Sequence, residues 1–383
     1  MMHPSDASSR CDSHASAQSR PAAVRMSIHD LTAIDSLARG LKIDPQQIRS
    51  LRNAFYKKSH DVCGLVGATN WQGASLAELV EFHTLTPERR DDSHTDGATK
   101  LLFRTGDDRL IESVILRMAS GRTSLCVSTQ VGCAARCEFC ATGRMGLLRN
   151  LSAAEILDQV IAANRLLMGE RRRIRNLVFM GMGEPFHNEA ELYRTIDVLT
   201  DSRAFDMHAR RLMVSTVGIP SAMVRLATRY PSVRLALSLH SAREDVRRRL
   251  MPVAEHHRLS ALRDAIVQVT ALQGHLVMIE YLLLADVNDA PLDAEALIDF
   301  LRGLAVHVNL IPYNPIDGAD GLRASSAARQ RAFSDTLKAA GLEVTTRYSL
   351  GSDIAAACGQ LVREQRGRHA VGVAHLASSA LSC

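Results

Sequence analysis

Three cysteines in one short loop have the types and spacing best suited to chemistry: Cys133, Cys137 and Cys140. They supply three thiolates, and no fourth ligand follows nearby in the sequence. A closed structural zinc site needs four ligands, and a cubane 4Fe–4S cluster also takes four, normally all cysteine. Three protein ligands leave one metal position open, where a substrate or cofactor can bind. The spacing therefore predicts a metal centre with an open position, and a zinc site completed by a remote histidine is the alternative.

A second motif, Gly181-Met182-Gly183-Glu184-Pro185, combines two residue types that suit ligand binding. Glycine lets the backbone approach a ligand closely, and a carboxylate such as that of Glu184 can receive an ammonium group. The motif alone is weak evidence, because an ordinary turn between a strand and a helix explains it as well. Its position one βα unit after the cysteines makes Gly183 and Glu184 candidate cofactor contacts.

Short β-rich runs recur from about residue 100 onward, and amphipathic stretches separate them. The predicted strands are Ser124–Ser128, Leu177–Met180, Leu212–Thr216, Val233–Leu239, Val277–Leu284, Val306–Ile311 and Leu342–Arg347. The predicted helices are Ala153–Leu167, Ala190–Leu199, Ser260–Leu272, Ala294–Leu304 and Ser326–Ala340. Strands that alternate with helices predict βα units around a parallel sheet, so the predicted fold class is α/β. This number of units predicts a complete or partial α/β barrel.

Polar and glycine residues recur directly after the predicted strands, where the mouth of a barrel lies. In α/β barrels the reactive groups gather in the loops at the C-terminal ends of the strands. Ser215 closes the third predicted strand, Ser238-Leu239-His240 closes the fourth, and Asn314 follows the sixth. These residues are candidates for the site, although a histidine such as His240 is as often a satisfied core or loop residue.

Composition describes an ordinary folded protein. Hydrophobic residues make up 46% of the 383-residue chain, enough to bury a core, and no run approaches the roughly eighteen apolar residues of a membrane span. We expect a disordered tail over 1–27, an accessory domain over 28–95, a catalytic barrel over 96–365 and a C-terminal tail over 366–383. Eight cysteines without a secretory signal predict a reducing, cytoplasmic location.

The net charge of +5 is a mild excess, but the basic residues are overwhelmingly arginine and are clustered. The clusters are Arg171–Arg175, Arg210–Arg211 and Arg247–Arg249. Arginine makes bidentate phosphate contacts and stacks on bases, so these clusters predict contact with nucleic acid. A solvated helix surface is the alternative for each cluster.

Taken together, these motifs resemble the RlmN/Cfr family of radical S-adenosylmethionine (SAM) RNA methyltransferases. The resemblance covers roughly residues 97–365 and rests on several motifs in the same order. Besides the cysteine loop and the Gly183–Glu184 pair, they are Ser124–Ser128, Ile279–Tyr281, Val287–Asp289, Asn309–Pro312 and Asp353–Leu361. The family implies a radical-SAM partial (β/α)6-type barrel with a small N-terminal helical accessory domain that contacts RNA.

The resemblance implies two cofactors: a 4Fe–4S cluster on Cys133, Cys137 and Cys140, and SAM at the open iron. The SAM contacts that carry over are Gly183, Glu184, Ser215, Ser238, Leu239, His240 and Asn314. Radical chemistry belongs to such cofactors, while the protein supplies binding, orientation and the exclusion of side reactions. The family also implies RNA as the partner, rRNA before tRNA, an electron donor such as flavodoxin, no membrane and a monomeric protein.

Two cysteines outside the loop carry over as catalytic residues. The resemblance implies that Cys358 is methylated first and then passes its carbon to RNA, a case of covalent catalysis. Cys126 would form a transient disulfide with Cys358 and release the methylated RNA, which suits a cytosolic enzyme. Glu112 aligns as the base that takes the ring proton. For both cysteines, a role as a small buried hydrophobe is the alternative.

The implied reaction is methylation of a ring carbon, C2 or C8, of adenine in 23S rRNA. The choice between C2 and C8 stays open. Ala141–Leu147 and Ser241 are similar to the Cfr side of the family, whereas Val131–Cys133 is similar to the RlmN side. Two other functions remain: a radical-SAM enzyme acting on tRNA, a peptide or a small molecule, and a nonenzymatic Fe–S RNA-binding protein. Retention of both Cys126 and Cys358 speaks against the last, since binding alone needs neither.

Overall fold

The computed structural model describes residues 25–58, 79–319 and 321–361. Most of the predicted tail over 1–27 and all of the tail over 366–383 lie outside these ranges. Where the first tail is described, Met26–Ser27 forms strand β1, which pairs in parallel with strand β2, Val80–Glu81. The structure differs from the predicted tail at these two residues, because the adjacent Ile28 is fully buried in a small apolar core.

The N-terminal segment is partly helical, as predicted. Helix α1 spans Leu31–Gly40 and helix α2 spans Pro45–Arg52. Asp30 and Asp44 precede them, and each side chain accepts a hydrogen bond from a backbone amide of the first turn. Such caps satisfy amides that the start of a helix leaves unpaired. A π-helical turn over Asn53–Lys57 continues α2 and contributes aromatic residues to the core of the segment.

A ten-stranded mixed sheet forms the main body of the protein. Its antiparallel part consists of β3, Leu85–Asp92, β4, Ala98–Thr105, and β5, Leu110–Arg117. Strand β6, Thr123–Cys126, is antiparallel to β5 on one side and parallel to the next barrel strand on the other. It therefore joins the antiparallel extension to the barrel.

The parallel part of the sheet is an open barrel. A separate antiparallel hairpin of β7, Gln130–Gly132, and β8, Leu147–Asn150, flanks the cysteine loop. The further parallel strands are β9, Asn176–Phe179, β10, Leu212–Thr216, β11, Arg234–Ser238, β12, Val277–Leu283, β13, Val306–Pro312, and β14, Val344–Thr346. The strand order runs from β14 through β9 and β6 to β3 without closing, which confirms the predicted partial barrel.

Helices connect the parallel strands and cover the sheet. In chain order they are α3, Ala141–Met145, α4, Ala153–Gly169, α5, Glu189–Thr200, α6, Pro220–Arg229, α7, Glu244–Leu250, α8, Leu259–Gln273, α9, Pro291–Leu301, and α10, Ala327–Ala339. The sequence did not predict α7, because Val246 and Leu250 are its only apolar residues and form no wide stripe.

The boundary between accessory domain and barrel differs from the predicted position at residue 96. The predicted accessory domain over 28–95 includes the polar stretch Glu88–His94. Most of this stretch lies in β3, at the edge of the ten-stranded sheet. An edge strand tolerates charged, exposed side chains, so its sequence does not show the apolar alternation of an inner strand. The sheet that carries the barrel therefore begins at Leu85.

A buried carboxylate fastens the accessory segment to the barrel. Asp158 on α4 accepts hydrogen bonds from the backbone amides of Thr84 and Leu85, the latter at 3.1 Å. The rings of His29 and His83 lie 3.5 Å and 3.2 Å from the same carboxylate. Although burial raises the pKa of Asp158, the hydrogen bonds from the two histidines hold it below its usual range. This carboxylate is therefore a structural anchor that stays ionised.

Candidate active site

The cysteine loop lies between β7 and α3, and elements distant in sequence hold it. The amide of Glu138 donates a hydrogen bond to the carbonyl of Leu250, the last residue of α7, at 2.9 Å. The amide of Ala141 donates to the carbonyl of Gly359 at 2.7 Å. Gly143 leaves no space for a side chain, since a Cβ there would lie 2.8 Å from the amide nitrogen of Cys137. The loop is thus packed between helix α7 and the segment that contains Cys358.

The three thiols of the loop are shielded from solvent. Cys133 and Cys137 are buried, and Cys140 is half-buried. Burial raises the pKa of Cys133 to about 12, raises that of Cys137 well above its usual range, and raises that of Cys140 as well. Cysteines that bind a metal must lose their protons, so positive charge has to come from the bound centre or from nearby residues.

The arrangement of these thiols fits a cluster. Within the described ranges, no three histidine, cysteine or acidic side chains converge on a single metal ion. A zinc ion requires such convergence. A cubane cluster makes a different demand, because each cysteine binds a different iron. Three cysteines of one loop, two buried and one half-buried, line one cavity and meet that demand.

One cavity brings together most of the residues that the sequence proposed for the cofactors. It lies at the C-terminal ends of the parallel strands, as expected for a barrel. The predicted residues in its wall are Cys133, Cys137, Cys140, Gly183, Glu184, Ser215, Ser238, His240 and Cys358. Loops that are far apart in the sequence therefore converge on one site.

Two predicted SAM contacts are not among the residues that line this cavity. Leu239 is fully buried, and its amide donates a hydrogen bond to the carbonyl of Glu280 at 3.1 Å. The side-chain amide of Asn314 donates to the carbonyl of Cys358 at 3.2 Å and to the hydroxyl of Ser349 at 3.0 Å. In the structure, Asn314 therefore holds the segment that carries Cys358.

Gly183 shapes the cavity wall through its backbone, and Glu184 shapes it through its carboxylate. Gly183 has a φ of 101°, and a Cβ there would lie 2.6 Å from the Cβ of Gln130, so only glycine fits. The carboxylate of Glu184 accepts hydrogen bonds from the amides of Phe186 at 3.1 Å and Val217 at 2.8 Å. Burial raises the pKa of Glu184 to about 7 despite these hydrogen bonds. Glu184 thus ties two strand ends together and lines the cavity.

Two further polar groups in the cavity wall lack partners among the described residues: Oε1 of Glu280 and the hydroxyl of Tyr313. Glu280 is 2% exposed, and its other oxygen accepts a hydrogen bond from Asn309 at 2.7 Å. Burial raises the pKa of Glu280, while the charge of Arg347 opposes that rise. Buried polar atoms are rarely left unpaired, so this wall suits a ligand with hydroxyl or amino groups. A charged residue within the apolar strand β12 was the sequence signal for this site.

A second cavity joins the first at Cys358. Its wall contains Cys126 and Cys358, together with Val114, Leu116 and Arg347. Cys358 and Arg347 line both cavities, and both thiols are free. The structure thus places the two cysteines predicted as a catalytic pair in the wall of one cavity, which Cys140 of the cysteine loop also lines.

One arginine, Arg347, acts electrostatically on this pair of cysteines. Burial raises the pKa of Cys126 to about 12, the nearby Cys358 adds to the rise, and the charge of Arg347 opposes it. Cys358 in turn raises the pKa of Arg347, against the effect of burial. The guanidinium, whose Nη1 lies 3.9 Å from the sulfur of Met180, therefore favours the thiolate form of Cys126. Sequence reasoning missed Arg347, because a single arginine at a strand end carries no distinctive spacing.

Glu112 lies beside the second cavity, on strand β5. Alternate residues of a strand face the same side, so Glu112 shares its face with Val114 and Leu116 of the cavity wall. Its carboxylate is buried and lies 3.3 Å from the ammonium of Lys100. An adjacent cation favours the ionised form of a carboxylate. The structure thus places the predicted base near Cys126, outside the residues that line the cavity.

The arginine clusters divide into exposed and buried residues. Arg171, Arg173, Arg175, Arg210, Arg248 and Arg249 are exposed, and Arg172 and Arg211 are half-buried. Arg247 of the last cluster, on α7, is fully buried and cannot contact a phosphate. The sequence pattern alone could not separate it from its neighbours, because burial depends on how α7 packs.

Known proteins with similar sequences and structures share this organisation. The radical SAM superfamily model matches residues 127–296. A probable RNA methyltransferase of Rhodopirellula baltica is 49% identical over 352 residues, 92% of this chain and 91% of that protein. The dual-specificity RNA methyltransferase RlmN of Anaeromyxobacter dehalogenans is 43% identical over 336 residues, 86% of this chain and 89% of that protein. The crystal structure of a radical SAM methyltransferase from Sphaerobacter thermophilus superposes with a TM-score of 0.84 at 38% identity, covering 88% of this chain and 99% of that one.

The fold and the three-cysteine loop define a radical SAM enzyme. Identities this high over most of both chains place the protein more narrowly: it belongs to the RlmN/Cfr family of radical-SAM RNA methyltransferases. Enzymes of this superfamily use SAM and a 4Fe–4S cluster. Among the described residues, none of the helices combines the length and apolar character needed to cross a membrane.

Proposed function

We propose that this enzyme methylates a ring carbon of adenine, C2 or C8, in RNA, with 23S rRNA as its first substrate and tRNA as the alternative. The position of Cys358 carries the proposal, since this residue lines both cavities. Cys133, Cys137 and Cys140 line one cavity, Cys126 lines the other, and Cys140, like Cys358, lines both. A sulfur at this junction can receive a carbon on one side and release it on the other.

The first cavity is the proposed cofactor site. Cys133, Cys137 and Cys140 would hold the cluster, and the walls around Glu184 and Glu280 would hold SAM. When bound, these cofactors supply an electron, a methyl group and a 5′-deoxyadenosyl radical. Glu184 suits the ammonium group of the ligand, and the free oxygen of Glu280 suits a hydroxyl or amino donor. The apolar residues of the wall exclude water from this chemistry.

Cys358 is the proposed carrier of the carbon. Its sulfur would accept a methyl group, that group would lose a hydrogen atom to the 5′-deoxyadenosyl radical, and its carbon would bond to the adenine ring, which tethers RNA to the enzyme. The ring hydrogen would then leave as a proton, and the remaining electron would pass to the cluster. Glu112 is the proposed base for the ring proton. Its ion pair with Lys100 supports this role, since a base must be ionised and the ammonium favours that form.

Cys126 is the proposed releasing residue. Its thiolate attacks Sγ of Cys358, the S–S bond forms, and the bond between that sulfur and the transferred carbon breaks; the carbon keeps the electron pair and takes up a proton to become a methyl group, and the methylated RNA leaves. Burial opposes thiolate formation, because it raises the pKa of Cys126 to about 12, whereas the charge of Arg347 favours it. The shared cavity of the two cysteines supports this step.

Mass spectrometry of protein and RNA tests the proposal. After anaerobic incubation with SAM, a reductant and 23S rRNA, we expect a methylated Cys358 peptide and either 2-methyladenosine or 8-methyladenosine in the RNA. In the Cys126→Ala variant we expect an RNA nucleotide covalently bound to Cys358. An unmodified Cys358 together with unmodified rRNA and tRNA would contradict the proposal. The nucleoside formed also decides between C2 and C8.

Four finer statements stay predictions. They are the cytoplasmic location, the monomeric state, the flavodoxin-type electron donor, and RNA contact by the accessory segment over 28–95. Two exposed arginines of this segment, Arg39 and Arg49, support the last of these, because they offer phosphate contacts on its surface.

A further inference from the structure

The largest fully buried side chain among the described residues is a charged one. Arg247 on α7 has a relative exposure of 0%. Burial lowers its pKa to about 10, which leaves the guanidinium protonated at neutral pH. Burying a charge is costly unless an opposite charge and hydrogen bonds compensate for it. The location of Arg247 therefore calls for a negative partner.

The protein groups around Arg247 compensate only part of this cost. Its Nη2 donates to the carbonyl of Val217 at 2.6 Å, and its Nη1 lies 3.5 Å from the carbonyl of His257. Its Nε has no partner among the described residues. The carboxylate that acts on it most is that of Glu244, which is half-exposed and already accepts a hydrogen bond from the amide of Leu259 at 2.7 Å.

The guanidinium lies on the side of α7 that supports the cysteine loop. Val217, whose carbonyl it contacts, lines the cavity of the loop cysteines. Leu250, at the end of α7, packs in one apolar cluster with Cys137. The carbonyl of Leu250, one helical turn after Arg247, accepts the hydrogen bond from Glu138 of the loop. The guanidinium is therefore fixed by hydrogen bonds beside the segment that holds the loop.

We propose that Arg247 is the internal counter-charge of the cysteine loop and sets how readily a cluster bound there accepts an electron. The inference rests on the proposed function. Thiolate ligands make the loop negative, and an added electron makes it more negative. A fixed cation in an interior of low dielectric constant stabilises the more negative state, and net charge is one determinant of the potential of Fe–S clusters. Arg247 is thus a positioning residue that acts through the loop and not on RNA.

The neighbouring arginine supplies a matched control. Arg248 lies on the same short helix but is exposed, so solvent screens its charge. Replacement of either arginine by methionine removes one charge and keeps a long apolar side chain. Only the replacement at the buried position removes the proposed counter-charge.

The test is a potentiometric titration of the reconstituted cluster in the full-length protein, followed by electron paramagnetic resonance, without RNA. For Arg247→Met we expect reduction to become about tenfold less favourable, equivalent to a midpoint about 59 mV more negative. For Arg248→Met we expect the wild-type midpoint. For Arg247→Lys, which keeps the charge, we also expect the wild-type midpoint.

A wild-type midpoint in Arg247→Met would overturn the inference and leave the proposed function intact. If that variant fails to fold or to hold a cluster, Arg247→Lys decides: an unchanged midpoint supports the counter-charge, and a tenfold change in the reduction equilibrium overturns it. A wild-type protein that binds no cluster at all would overturn the proposed function as well, so the two failures are distinguishable.

Discussion

The docking interface of the accessory segment and the cavity at the barrel mouth each contain a buried carboxylate, but only one of them is satisfied by the protein. Asp158 at the interface accepts hydrogen bonds from the amides of Thr84 and Leu85 and lies within reach of two histidines. Glu280 at the mouth has one oxygen paired with Asn309 and one without a partner among the described residues.

The difference separates stability from ligand binding. A buried acid whose hydrogen bonds are complete holds the fold together, and its loss leaves several donors unpaired. A buried acid with a free oxygen can accept a hydrogen bond from another molecule. We therefore expect changes at the mouth to affect activity and changes at the interface to affect the free energy of unfolding.

The largest expected effect is at the mouth, at Cys358. We expect Cys358→Ala to lower RNA methylation by at least about 10³-fold, because the covalent carrier is lost. The free energy of unfolding should change little, since this side chain is half-buried. Nucleoside analysis measures the first quantity and denaturant unfolding the second. Methylation within a few-fold of wild type would remove Cys358 from the mechanism.

At the interface, we expect Asp158→Asn to lower the free energy of unfolding by about 3 kcal/mol. The new amide group would face the backbone amides of Thr84 and Leu85, so donors would meet donors. The folded variant should keep the wild-type kcat. Asp299→Asn is the control, because Asp299 is exposed and pairs only with Arg302 on the same surface. Equal destabilisation by both variants would remove the anchoring role.

Glu280→Gln tests the free oxygen at the mouth. We expect the KM for SAM to rise about tenfold, since a hydrogen bond to a charged acceptor contributes on the order of 1.5–3 kcal/mol. Stability should stay the same or increase, because a neutral amide costs less to bury than a carboxylate. Steady-state kinetics measure the effect, with the exposed Glu295→Gln as the control. If Glu280→Gln lowers the free energy of unfolding and leaves the KM for SAM unchanged, Glu280 has a structural role like that of Asp158.

The smallest effect is a pH dependence of stability at the interface. The folded pKa of Asp158 lies below its unfolded value, so its contribution is present above about pH 4 and is lost as the pH falls further. Between pH 5 and pH 3 we therefore expect the wild-type protein to lose more stability than Asp158→Asn does. Denaturant unfolding at several pH values checks this. Parallel curves for the two proteins would show that other groups control acid unfolding.

Much of the barrel could be predicted because its strands and helices have clear periodicity. Strand β10, Leu212–Thr216, has the predicted bounds, and the other parallel strands differ by only a few residues. The elements that were not predicted include strands β3, β4 and β5 and helices α6 and α7. Strand β3 was missed because an edge strand carries polar residues, and α7 was missed because most of its residues are charged. In these two elements, tertiary position overrides local pattern.

The sequence by itself determined the class of chemistry: three cysteines with an open fourth position, and two further cysteines in the motifs of the family. The spacing of these cysteines along the chain is fixed by covalent bonds, and folding cannot change it. Only the tertiary structure decided which charged groups are buried. It thus decided that one oxygen of Glu280 has no partner among the described residues, that Arg347 lies beside Cys126 and Cys358, and that Arg247 differs from Arg248. Burial depends on contacts between residues distant in the chain, and the charge of a side chain matters most where those contacts exclude water.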